Sequence, residues 1–155
     1  MNNRKFGELV ITVTLGFVVC GLLSSCSSFQ RSWREAAATG ALPPGDDIFG
    51  RWEGTWKSDS SGHNDKLRCV ISKVDSEHYT AKFHAKYKHI FSFGYSVPLV
   101  VTNDGTKRTF KGEADLGKLA GGLYTYEGSA NPTNFYSRYD SKYDHGTFQM
   151  TRPLK

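Results

Sequence analysis

Five histidines and three cysteines carry the most distinctive side-chain chemistry in this 155-residue chain. His63 lies in Asp59-Ser60-Ser61-Gly62-His63-Asn64-Asp65 and His145 in Asp144-His145-Gly146, two turn-like strings with carboxylates at hand. A histidine so placed can act as a base or ligate a metal, because its ordinary pKa lies near neutrality. Neither string has the paired His/Cys spacing of a zinc site or the ordered oxygen ligands of a calcium loop. The neighbouring serines are too common in the chain to mark a nucleophile. His84 and His89 fall on or beside a lysine-rich strand face and read as solvated. No catalytic residue, metal or cofactor is therefore assigned, and the chain reads as a non-enzyme.

The cysteines point elsewhere. Arg4 and Lys5 precede an apolar run from Phe6 to Leu23, and Ser24 and Ser25 follow it. A basic start, an apolar stretch and small residues describe a secretory signal segment, removed here with residues 1–25. An uncut transmembrane anchor is the competing reading, although the run is barely long enough and contains Glu8 and Gly16. Leu23-Ser24-Ser25-Cys26 resembles the lipobox of bacterial lipoproteins. The resemblance implies palmitate-type acyl chains on Cys26, cleavage before it, and acylation of its new amino group. Ser27, where an inner-membrane retention signal places Asp, implies delivery to the outer membrane. Two or three chains anchor firmly, at about 0.8 kcal/mol per buried methylene. Cys20 leaves with the signal and Cys26 is consumed by lipid, so Cys69 has no disulfide partner in the mature chain. Within Leu67-Arg68-Cys69-Val70-Ile71 it reads as a small buried apolar residue.

Residues 26–47 read as a lipidated tether, rich in small residues, Pro43-Pro44-Gly45 and Asp46-Asp47, with one short helical piece around Ser32 to Ala38. Residues 48–155 form one domain by length. Loss of Arg4, Lys5 and Glu8 lowers the net charge from +5 to +4. The lysines are scattered, which fits a solvated face and no nucleic-acid partner. Anionic lipid and polyanionic envelope polymers stay open as partners.

Strand follows strand through that domain. Turn signals recur at Ser58 to Gly62, Asp75 to Glu77, Asn103 to Gly105, Leu116 to Lys118, Asn131 to Thr133 and Asp140 to Gly146. Between them, Tyr79, Ala81, Phe83, Ala85 and Tyr87 alternate with Thr80, Lys82, His84, Lys86 and Lys88. Phe91 to Val101 repeats the pattern, and six further segments, Arg51–Lys57, Lys66–Val74, Thr106–Asp115, Leu119–Ser129, Asn134–Tyr139 and Thr147–Arg152, bring the count to eight. Eight short antiparallel strands with tight turns predict an all-β up-and-down barrel, since closure removes exposed edges.

Gly50-Arg51-Trp52 opens the first strand and Arg152 ends the last. The pairing resembles the calycin pattern of lipocalins, fatty-acid-binding proteins and avidins. That resemblance implies that Trp52 and Arg152 close one barrel end through a cation–π contact. The inward positions mix large residues, Phe83, Tyr87, Phe93, Tyr95, Tyr124, Tyr126 and Tyr139, with small ones, Ala81, Ala85, Gly112, Ala114, Gly122 and Gly128. The small residues either make room for neighbouring rings or leave a pocket lined by aromatic faces. Two functions follow: an outer-membrane lipoprotein binding a small apolar or aromatic ligand at those seven aromatic residues, or a filled barrel that meets an envelope protein or polymer.

Overall fold

The computed structural model describes residues 28–38, 47–88, 91–103, 105 and 107–154. The signal segment, Cys26 and His89 lie outside them. Eight antiparallel strands follow in order: β1 (Gly50–Ser58), β2 (Asn64–Lys73), β3 (His78–Tyr87), β4 (Phe91–Asn103), β5 (Arg108–Asp115), β6 (Leu123–Ala130), β7 (Asn134–Ser141) and β8 (His145–Thr151). Each pairs with the next, and β1 pairs with β8, so the sheet is a closed up-and-down barrel.

Alternation decides which side chains face inward. Trp52 and Trp56 on β1, Leu67, Cys69 and Ile71 on β2, and Tyr79, Ala81, Phe83 and Ala85 on β3 are all buried, while their intervening neighbours, Val70 excepted, are half-buried or exposed. The register carries one inward row across the sheet, with Trp52 opposite Cys69, Cys69 opposite Phe83 and Phe83 opposite Tyr95. Cys69 is fully enclosed, and burial raises its thiol pKa well above the ordinary value.

The sixth strand begins later than its sequence pattern predicts. Residues Lys118–Ala120 form a 3-10 turn, and Gly122, expected on the inner wall, instead lies in that turn with φ +77°. Two other glycines serve close approach rather than pocket space. A Cβ on Gly54 would fall on the Gln149 carbonyl, and one on Gly112 would strike the Pro98 carbonyl, so each lets a neighbouring strand press inward.

Pairing between β4 and β5 is short. It runs only from Leu99–Gly112 to Asn103–Arg108 and stops at Pro98. Proline brings no N–H to a ladder and suits the point where strands part. From Phe91 to Pro98, β4 has β3 as a neighbour but no β5 partner.

The expected tether is partly docked. Residues 28–38 form a helix, α1, which starts earlier than the sequence pattern suggests. Phe29 and Trp33, four apart and so on one helical face, stack together at 5.8 Å. Phe29 is buried and stacks on His84 at 4.9 Å, while Arg51 and Arg68 lie 5.3 and 5.0 Å from the Trp33 ring. Lys82 donates to the Ser32 hydroxyl at 3.0 Å. The outward-facing Val70, between Arg51 and Lys82 in register, is only 5% exposed. His84 is accordingly half-buried rather than solvated; burial, then Arg68 and Lys86, lowers its pKa.

Candidate functional site

The two barrel ends differ. At the base, where β1 starts and β8 ends, the Arg152 guanidinium lies 3.8 Å from the centroid of the Trp52 ring. Its nitrogens donate to the carbonyls of Phe49 (2.8 Å), Arg51 (3.2 Å), Asp47 (3.2 Å) and Pro132 (3.2 Å). Trp52 is fully buried and donates its indole N–H to the Ile48 carbonyl at 2.8 Å. A cation held over an indole away from water contributes about 2 kcal/mol. Burial lowers the Arg152 pKa to about 10, which leaves it charged at neutral pH.

Asp47 completes the closure. Its carboxylate accepts from the Ile48 N–H (2.7 Å), the Tyr79 hydroxyl (3.0 Å) and Lys73 (2.8 Å). Burial alone would raise the Asp47 pKa, but Lys73, Tyr79, the Ile48 amide and the Arg108 charge outweigh it and hold the group below its ordinary value. Above this layer Trp52, Phe110 and Phe135 pack ring to ring, with centroids 4.8 to 5.7 Å apart. The base half of the barrel is filled.

The opposite end is a cup of about 280 Å³. Of the seven aromatic residues expected to line an interior site, Tyr87, Phe93, Tyr95, Tyr124, Tyr126 and Tyr139 lie on its wall, with Trp56, Ala85 and Phe148 among them. The seventh, Phe83, lies beneath, its ring 5.3 Å from both Tyr95 and Phe148. Strand parity places these rings together. Tyr124 and Tyr126 are two apart on β6, Tyr126 faces Tyr139 across to β7, and Phe93 and Tyr95 are two apart on β4. Leu116 and Ala120, from the segment joining β5 to β6, complete one side. Ala85, a methyl between Phe83 and Tyr87 on β3, is the smallest side chain that a strand contributes to the wall.

The wall is apolar but not featureless. Tyr95 and Tyr126 share a hydrogen bond, and burial pushes both phenols well above the ordinary tyrosine pKa. Tyr139, raised chiefly by burial and then by the Asp144 charge, donates to Asp144 at 3.2 Å. Asp144 also accepts from Ser58 at 2.6 Å. All three tyrosines stay neutral at physiological pH and offer hydroxyls that donate and accept.

The two turn histidines are near this end. His63 stacks on Tyr87 at 4.8 Å. His145 Nδ1 lies 3.0 Å from the Ser60 hydroxyl, a pairing that ties the β1–β2 turn to β8. Asp144 commits its oxygens to Ser58 and Tyr139, so the arrangement is not a serine–histidine–aspartate relay. Among the described residues, no group of three or more His, Cys, Asp or Glu side chains could hold a metal.

Eight strands in an up-and-down closed barrel, with a Trp–Arg seal at one end, are consistent with a calycin-like barrel. Comparison with family models, curated proteins and solved structures gives no match, so that class is drawn from geometry alone.

Proposed function

We propose that this is a lipid-anchored, non-catalytic protein of the bacterial envelope whose barrel binds one small apolar or aromatic molecule in its open cup. The convergence of six of the seven expected aromatic residues on a single recess carries the reading. Its volume, about 280 Å³, lies at the lower limit of small-ligand pockets, which begin at roughly 300 Å³. One or two fused rings or a short acyl segment match it, and the Tyr95, Tyr126 and Tyr139 hydroxyls suit a guest with one or two polar atoms. The seal at Trp52 and Arg152 makes the site a dead end, which favours binding over passage.

Lipidation of Cys26 and outer-membrane delivery rest on the Leu23-Ser24-Ser25-Cys26 resemblance. Among the described residues no helix is long and apolar enough to cross a membrane.

The test is mass spectrometry of the organic extract of purified protein, together with titration by the dye N-phenyl-1-naphthylamine. A reproducible co-purifying compound displaced by the dye supports the reading. No compound and no dye uptake would move the weight to a barrel that acts through its outer surface.

A further inference from the structure

We infer that the barrel stands mouth-down on the bilayer, so that the cup draws its ligand from the membrane rather than from the surrounding water. The inference deepens the proposed function and rests on it for the N-terminal membrane attachment and for the ligand.

The first observation is the path of the chain. Helix α1 begins over His84, three residues from the mouth end of β3, and then passes Lys82 and Arg51 on the base side. Three strand residues span about 10 Å, against about 20 Å from His84 to the base end of β3 at His78. Cys26 precedes the helix by two residues, which reach at most about 7 Å. The membrane attachment therefore leaves the barrel nearer its rim than its base. An uncut anchor at Phe6 to Leu23 would join the same end of α1, through the four residues Ser24 to Ser27.

The second observation is the rim itself. Nine large apolar or aromatic side chains are exposed among the described residues, and five of them, Tyr87, Phe91, Phe93, Leu123 and Tyr143, surround the mouth. Phe91, Leu123 and Tyr143 are more than half exposed. Lys86, Lys88, Lys118 and Lys142 lie among them, with Lys88 and Lys142 over the Tyr87 and Tyr143 rings at 5.5 and 5.2 Å. The carboxylates at this end are divided. Asp59 pairs with Lys57 at 3.6 Å and Asp115 and Asp140 are exposed, whereas Asp65 is buried and Asp144 is held by Ser58 and Tyr139.

Rings interleaved with lysines suit the headgroup layer, where aromatic bodies enter the interface and ammonium groups stay at phosphate level. At the base Lys73 is engaged by Asp47, Arg152 by Trp52 and Arg108 by the Tyr79 hydroxyl, and Lys107 is the exposed cation of the β4–β5 turn. An apolar recess opening onto that rim meets lipid first, which assigns the ligand to amphiphiles or apolar compounds dissolved in the bilayer.

The test uses the full chain, processed in its host and reconstituted into phosphatidylethanolamine–phosphatidylglycerol vesicles containing a headgroup nitroxide lipid. A thiol-reactive bimane is placed at Phe91→Cys or Leu123→Cys on the rim and at Val74→Cys on the base, with the enclosed Cys69 left in place. Quenching at least threefold stronger at the rim than at Val74 is expected. Equal quenching, or stronger quenching at Val74, would overturn the orientation. An unlabelled arm guards against misfolded variants: on vesicle binding, amide exchange should slow at residues 142–144 and stay unchanged at 75–77, and the reverse pattern would overturn the proposal. The mass of the N-terminal peptide from the same sample reports acylation of Cys26 separately, and displacement of the dye reports the cup, so failure of the orientation is distinguishable from failure of the anchor or of ligand binding.

Discussion

The base and the mouth are built from the same eight strands and the same inward parity, yet one is sealed and the other hollow. At the base, a cation, an indole and a buried carboxylate each find several partners: Arg152 lies on Trp52 and reaches four carbonyls, and Asp47 holds Ile48, Tyr79 and Lys73. At the mouth, rings meet rings around a gap and the polar contacts are confined to the wall. Stability and the proposed binding thus fall at opposite ends, and substitutions should separate them.

The largest effect belongs to Trp52→Ala. Removing a fully buried indole from the base should lower unfolding free energy by about 3–5 kcal/mol in chemical denaturation. The part of the population that stays folded should keep its affinity for N-phenyl-1-naphthylamine. A folded Trp52→Ala protein without dye uptake would break the contrast.

Ala85→Phe should act in the opposite sense. Its ring enters the cup, so dye affinity should fall at least tenfold, equivalent to about 1.4 kcal/mol. The unfolding free energy should change by less than about 1 kcal/mol, because the added ring occupies existing space.

Asp47→Asn sharpens the account of the base through pH. The folded-state pKa of Asp47 lies below its unfolded value. The stability it supplies is complete above the unfolded pKa of about 3.9 and is lost as pH falls through the lower folded value. Wild-type melting temperature should therefore fall more steeply below about pH 4 than that of Asp47→Asn. At neutral pH the variant should be less stable by about 1–2 kcal/mol.

Ser60→Ala should have the smallest effect. It removes the contact to His145 in an exposed turn, and stability should change by less than about 0.5 kcal/mol with dye binding intact. A large loss of either would give that pair a role the fold does not require.

Much of this was legible before the coordinates. Period-two alternation marks all eight strands, and Trp52 with Arg152 marks the closed end. Alternation places Tyr124, Tyr126 and Tyr139 on the inner face. What alternation cannot show is height along the barrel axis, which follows from register. The sequence therefore left open a filled or hollow interior, and the structure divides the answer between two ends. Gly112 reads from sequence either as room for neighbouring rings or as pocket space, and it is instead required by the approach of Pro98, a contact between strands that sequence distance hides. Pro98 itself was the available signal for the short β4–β5 ladder. The docking of α1 had two signals, Phe29 and Trp33 at a helical spacing of four and Val70 as an apolar residue on a wet face. Only their combination identifies the partner surfaces.

The early end of the β4–β5 ladder bears on the guest proposed for the cup. A cup with an unbroken wall limits its occupant to its own depth. Here no β5 partner stands beside Phe93 and Tyr95, and Leu116 and Ala120 of the connecting segment complete the wall instead, so a proposed guest longer than the cup would have to displace a loop rather than break a sheet.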